Sequence, residues 1–354
     1  MKKISLFLFF VLLFVSCQSN KKKSSVATGS TISLSGAGAT FPLPFYNMTF
    51  EKYSRLTGTK VTYGGIGSGG GIRSLKDKVV DFGASDAFLS DAEMAAMPAE
   101  ILHVPTCSGA VVVAFNLQGI QEIKLNPDLL VKILVGDIKN WNDASLKKLN
   151  PAITFPNLAI TVVYRSDGSG TTNMFTDYLT KVSQEWKSKI GSGKSVKWPV
   201  GIGAKGNPGV AGTINHTNGA IGYIGSEYAF AGKISTALLQ NQAGKFIKPS
   251  IESVSAAGKG EIPADTRVML TNSSAVDAYP ISGFTWIILY KEQNYNNRTL
   301  AQAEATLKLL DWLLDKESQD IAKKVNYAPL PVPVIEKAKA ILRTVTYDGK
   351  PVLK

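Results

Sequence analysis

The sequence predicts an α/β fold in which mainly parallel sheets are flanked by helices. Three observations carry that prediction. Short β-rich runs alternate with helical patterns through most of the chain. The turns joining strand to helix are rich in glycine and hydroxyl side chains. A length of 354 residues allows a large core and favours two lobes over one.

The elements follow in order. Ile32–Ser35 reads as a strand and runs into Gly36-Ala37-Gly38-Ala39-Thr40. A helix starts near Pro42, where proline is well placed, with Tyr46, Phe50 and Tyr53 on one face. Lys60–Tyr63 is a strand, followed by a glycine loop and a helix from about Gly70. Val79–Ala84 is a strand ending at Ser85-Asp86. Cys107–Asn116 reads as a long buried strand, and Pro127–Val135 as a helix. The apolar run Ile160–Tyr164 is a buried strand, and Phe175, Leu179 and Val182 give the helix after it. Residues 188–218, rich in Gly, Lys and Asn, are expected to be mostly loop with short helices. Ala220–Ile224 and Thr285–Tyr290 are strands. Two amphipathic helices close the chain. Leu300, Ala303, Leu307, Leu310 and Leu314 mark the first, with Glu304 and Lys308 paired on its outer face; Val334, Ala338 and Ile341 mark the second.

The N-terminus places Lys2 and Lys3 before an apolar run, Ile4–Val15, and then Ser16-Cys17. That is a signal-peptide pattern, too short to span a bilayer. A cysteine directly after the apolar run points to a bacterial lipoprotein acylated at Cys17, although Phe14 stands where leucine is usual. A plain secretory signal is the alternative. Gln18–Ser30 is polar, carries three consecutive lysines and reads as a flexible tether. The formal charge is +12, and removing Lys2 and Lys3 lowers it by their two charges. The lysines are scattered, and export argues against nucleic acid as a partner. With Cys17 acylated, Cys107 has no internal partner and reads as a small buried side chain.

Three strand-to-helix turns share one chemistry: Gly36–Phe41, Gly65–Gly71 and Arg165–Thr172. Each offers small residues, a hydroxyl and a helix start, where unpaired N–H groups and a partial positive charge suit an anion. Arg165 adds a fork of charge-assisted donors. Each donor given to a charged ligand contributes about 1.5–3 kcal/mol, and micromolar binding needs about 8 kcal/mol. Converging loops therefore suffice without a metal. The competing reading of the third turn is an N-cap, with Ser169 as the cap.

Asp86 is the odd member of the set. An ionised carboxylate only accepts, so beside an anion it helps only if the ligand brings a proton. Phosphate carries one near neutral pH and sulfate does not, so Asp86 selects phosphate. Alternatively it caps the next segment. Asp167, two residues from Arg165, is placed to hold the guanidinium. Gly65-x-Gly67-x-x-Gly70 also satisfies a dinucleotide fingerprint, with Asp86 near the place of a ribose-binding acid, but export argues against a nicotinamide cofactor. A serine hydrolase needs a base, and the only histidines are His103 and His216, both read as structural. Neither Ser68 nor Ser169 sits in a G-x-S-x-G elbow. The same shortage of histidine and cysteine disfavours a metal.

These segments resemble the phosphate-binding proteins that serve bacterial ABC-type phosphate importers. The resemblance rests on Gly36–Pro42, Gly65–Ser68, Val80–Asp86, Arg165–Thr171, Val196–Pro199, Gly203–Asn207, Gly219–Tyr223 and Tyr279–Ile281, in that order. It runs from about Ile32 to the C-terminus. It implies a two-lobed periplasmic-binding-protein fold of type II, hinged, closing on one inorganic phosphate. By position it implies Thr40 and Phe41, Ser68, Asp86, Arg165, Ser169, Gly170 and Thr171 as phosphate ligands, with Asp167 supporting Arg165. It also implies a signal peptide over 1–16, a tether over 17–30, lobe 1 from 31–113 and 283–354, and lobe 2 from 114–282. The chain is expected to cross between lobes near Val112–Asn116 and to return near Ile281–Trp286. The implied protein is a monomeric, lipid-anchored receptor on the outer face of a membrane in the cell envelope. It has no cofactor and no enzymatic activity, and it hands phosphate to ABC permease subunits. An exported phosphatase and a signalling lipoprotein on the same scaffold are the alternatives. Gly69 departs from a second serine found in many relatives, and Tyr164 from an arginine found in some.

Overall fold

The computed structural model describes residues 32–353; the signal segment, Cys17 and the whole tether lie outside them. Its strands in chain order are β1 (Ser33–Gly38), β2 (Lys60–Gly65), β3 (Phe82–Ser85), β4 (Ile101–Phe115), β5 (Lys124–Leu125), β6 (Thr161–Arg165), β7 (Ile202–Ala204), β8 (Ala220–Gly225), β9 (Ser235–Thr236), β10 (Leu238–Gln240), β11 (Phe246–Ile247), β12 (Ser282–Tyr290), β13 (Thr346–Tyr347) and β14 (Lys350–Pro351). The main sheet has the order β2-β1-β3-β12-β4-β8-β6-β7, with β9 also on β4.

Two parallel wings flank an antiparallel centre. β1 pairs in parallel with β2 and β3, and β6 pairs in parallel with β7 and β8. Strands β12 and β4 run antiparallel to their neighbours between them. Strand β4 changes partner along its length. Its residues from Ile101 to Ala110 pair with β12, and those from Val111 to Phe115 pair with β8. Nearly every residue of β4 and β12 is buried, as expected where both faces are covered.

Strand β4 is longer than the apolar run from Cys107 suggested, because Pro105 does not end it. The register of β12 against β4 shifts between Thr285 and Trp286, so that Thr285 faces Cys107 while Trp286 faces Pro105. A bulge at this point accommodates a proline that a regular ladder would not. Thr106, the extra residue, exchanges a 2.9 Å hydrogen bond with the Tyr46 hydroxyl.

Several boundaries differ from the sequence-based expectation. The helix after β2 starts at Ser68, because Gly67 takes φ +86° and turns the chain early. Strand β3 begins only at Phe82, since Val79 is exposed and Asp81 is held at the edge by the Ser35 N–H. Within 188–218 the chain forms an eleven-residue helix, Gly206–His216, whose buried Val210, Ala211 and Ile214 were hidden in a glycine-rich composition. A further helix, Lys316–Lys324, stands between the two expected at the C-terminus. In the last helix, Val332–Arg343, Leu342 rather than Ile341 takes the core face with Val334 and Ala338. The Glu304–Lys308 pair forms at 3.6 Å.

Candidate anion-binding site

Parallel strands deliver their following loops to one edge of the sheet. β1 leads to Thr40, β2 to Ser68 and β3 to Asp86. From the other wing, β6 ends on Arg165 and leads to Ser169, Gly170 and Thr171, while β7 leads to Gly206 and Asn207. The loops meet. Ser68 Oγ accepts from the Gly170 N–H at 3.0 Å and from the Asp86 N–H at 3.3 Å. Thr40 Oγ1 accepts from Asn207 twice, from its N–H and its Nδ2, each at 3.1 Å. Thr171 Oγ1 accepts from Asn207 Nδ2 at 3.2 Å and from Arg165 Nη1 at 3.4 Å. Thr40, Ser68, Asp86, Arg165, Ser169 and Thr171 are each at most 5 % exposed.

This arrangement has a direct chemical consequence. A hydroxyl has one proton and two lone pairs. Thr40, Ser68 and Thr171 each already accept two hydrogen bonds from nitrogen donors, so the role left to each is donation. Arg165 adds a full positive charge. The cluster is therefore built to be accepted from, which is what an oxyanion does.

Arg165 is fixed in place. Its Nε and Nη2 donate to the two Asp167 oxygens at 2.8 and 2.6 Å, the parallel fork expected of a guanidinium on a carboxylate. Burial alone would raise the Asp167 carboxyl, but Arg165 and the Gly206 N–H hold it below the usual range. Tyr223 accepts from the Arg165 N–H at 3.1 Å and shares a 2.7 Å bond with Thr172.

Asp86 stands apart electrostatically. Burial lifts its carboxyl to about 7, while the Thr285 hydroxyl, the Arg165 charge, Ser68 and Thr171 pull the other way. Thr285 Oγ1 donates to Asp86 Oδ1 at 2.8 Å, from the position where β12 bulges. The helix after Asp86 is capped by Ser90, so Asp86 is not its N-cap. Ser169 does cap helix Gly170–Val182, its Oγ accepting from Thr172 at 3.0 Å, so capping and membership of the cluster coexist there. The Phe41 side chain is fully buried, and its carbonyl accepts from Tyr327.

Three buried or half-buried residues near the cluster were not among the expected ligands, though Asn207 ends one of the resembling segments. Asn207 bridges Thr40 and Thr171 and accepts from the Gly225 N–H. Tyr228 donates to the Thr40 carbonyl at 2.5 Å. Glu227 is 3 % exposed, its carboxyl oxygens have no hydrogen-bond partner among the described residues, and burial raises it well above the usual range. The Gly206-Asn207 turn did carry a signal: it is another strand-to-helix turn with a small residue. The two departures are local. The Gly69 N–H donates to the Gly168 carbonyl at 2.9 Å, and Tyr164 stacks on Trp198 with 5.3 Å between centroids. His103 is buried, and its Nε2 accepts from Leu89; Cys107 is buried and free; His216 is exposed at a helix end. Among the described residues no group of three or more His, Cys, Asp or Glu is placed to hold a metal ion, and no helix is long and apolar enough to cross a membrane.

Comparison with known proteins places this geometry in context. Residues 25–317 match the model of the PBP superfamily domain. A protein named phosphate-binding protein PstS from Pasteurella multocida is 41% identical over 324 residues, covering 90% of this chain and 92% of its own. One of the same name from Haemophilus influenzae is 40% identical over 317 residues, covering 88% and 93%. The solved structure of a phosphate-binding protein from Stenotrophomonas maltophilia shares the fold with a TM-score of 0.67 at 19% identity, over 90% of this chain and 96% of that one.

Proposed function

Since the chain belongs to the PBP superfamily and, within it, to the family of phosphate-binding proteins named PstS, we propose that it captures inorganic phosphate for an ABC-type importer. The observation that carries this reading is the donor-only chemistry of Thr40, Ser68 and Thr171 around Arg165, with the acceptor Asp86 beside them. The ligands are Thr40, Phe41, Ser68, Asp86, Arg165, Ser169, Gly170 and Thr171, with Asp167 orienting Arg165. Asn207 joins them by aiming two of the hydroxyls. Asp86 takes the phosphate proton, and the others donate to the remaining oxygens.

The protein works by closure. One lobe comprises 31–113 and 283–354 and the other 114–282, and they hinge where β4 exchanges β12 for β8. It acts outside the cytoplasm, anchored through an acylated Cys17, as a monomeric receptor for membrane permease subunits. It performs no catalysis. Isothermal calorimetry with the purified protein tests the reading: phosphate binds with micromolar affinity or better, and sulfate at pH 8 gives no measurable heat. Equal affinity for both anions would remove the role given to Asp86. Mass spectrometry of the mature N-terminus tests the anchor, an acylated Cys17 being the expected species.

A further inference from the structure

A second contact joins the two groups of anion loops outside the site. The segment after Asp86 leads to the short helix Asp91–Ala95, and Glu93 on it forms a 2.7 Å ion pair with Lys194. Lys194 lies between helix Gln184–Lys189 and β7, on the side of the wing that contains Arg165. Both ends of the pair are held. Glu93 Oε2 accepts from the Ser90 N–H at 2.9 Å while Ser90 Oγ accepts from the Glu93 N–H at 3.2 Å, a reciprocal capping box that fixes the carboxylate. At the other end the Lys194 carbonyl accepts the Ser169 N–H at 2.8 Å. One residue thus supports the backbone of an anion-loop residue and reaches across with its charge. The Lys194 side chain is 17% exposed, so its ammonium is partly shielded from water and salt. Burial alone would raise the Glu93 carboxyl, but Lys194 and Ser90 hold it below the usual range. Arg267, also from the 114–282 part of the chain, reaches the same short helix, donating to Asp91 at 2.8 Å and to the Leu89 carbonyl at 3.1 Å. A second tie between the same two parts therefore remains when Lys194 is changed, so the loss expected from that change is partial.

We propose that Lys194 is a positioning residue that clasps the closed state, tying the Asp86 segment to the Ser169 loop and so slowing release of the bound anion. It does not touch the ligand. The inference rests on the phosphate and two-lobe readings above. Because the clasp forms only once the lobes meet, it acts on dissociation and leaves association unchanged.

Stopped-flow phosphate kinetics on the intact protein tests it. Lys194→Met and Glu93→Gln each raise the dissociation rate about two- to fivefold, the size a partly exposed ion pair supports, with association rates unchanged. The double variant is no faster than either single, Lys194→Arg restores the slow rate, and high salt brings the wild type toward the variants. Additive effects of the two substitutions, or no change in dissociation, would overturn the clasp. If the wild type binds no phosphate, closure is not ligand-driven and the functional reading fails separately; the loops then stand together without ligand, as the Ser68–Gly170 and Thr40–Asn207 bonds have them, and amide hydrogen exchange decides the clasp. Residues 166–172 then exchange faster in Lys194→Met and Glu93→Gln but not in Lys194→Arg; identical protection in all four proteins refutes it.

Discussion

At neutral pH the Asp86 carboxyl stands near the midpoint of its titration, because burial lifts it to about 7. Above that pH it is an acceptor and requires a proton from its ligand. Below it the neutral acid can itself donate, and a fully ionised tetrahedral anion is no longer repelled. Discrimination against sulfate should therefore weaken as pH falls. Between pH 8 and pH 5.5 the phosphate-to-sulfate affinity ratio is expected to drop by at least about tenfold, measured by calorimetry. In Asp86→Asn the ratio is low at both pH values. Stability follows the same group with a definite sign. The folded value, about 7, lies above the ordinary 3.8, so its contribution is fully present below 3.8 and is lost as pH rises through 7. Thermal melts of unliganded Asp86→Asn should exceed wild type at pH 8 and lose that advantage at pH 4. Glu227 is displaced in the same direction by burial and further by the Asp86 charge, so its relief in Asp86→Asn adds to the advantage at pH 8. Most of the cluster was legible residue by residue, since Arg165, Asp167, Ser68 and Asp86 lie in short motifs. Thr285 was not: it sits in an apolar run that reads as core, and it meets Asp86 only through a bulge opposite Pro105.

At the scale of elements, helix Gly170–Val182 shows how closely two loops approach. A Cβ on Gly170 would lie 2.7 Å from both the Asp86 N and Ser68 Oγ. Alanine there suits the helix better than glycine, so Gly170→Ala should leave the unliganded melting temperature equal or slightly higher. Phosphate affinity should nevertheless fall by more than about a hundredfold, a loss of close to 3 kcal/mol, because the loops can no longer meet. Calorimetry and a melt on the same sample check both halves. The sequence made the start of this helix plain through Ser169 and the apolar period behind it. Helix Gly206–His216 stayed hidden because glycine and asparagine depress helical propensity, and packing against β8 overrides that preference.

At the scale of the molecule, the α/β class and most strands were legible from alternation and apolar runs. The order of strands was not, because nothing local says that β12 lies between β3 and β4. The proposed closure by rotation at β4 predicts a smaller radius of gyration with saturating phosphate than without it, measured by small-angle scattering, while sulfate at pH 8 leaves the radius unchanged.

The place of β12 also governs when this chain can fold. Ile101 pairs with Tyr290 and Ala110 with Ser282, partners about half the chain apart. Until residue 290 has been synthesised, the wing formed by β1–β3 has no strand joining it to β4, and the longest strand has a bare edge along its first ten residues. The nascent polypeptide thus remains open-centred through most of its synthesis. A delayed middle keeps such a chain threadable, and the last fifth of the sequence acts as the trigger that commits it to its native form.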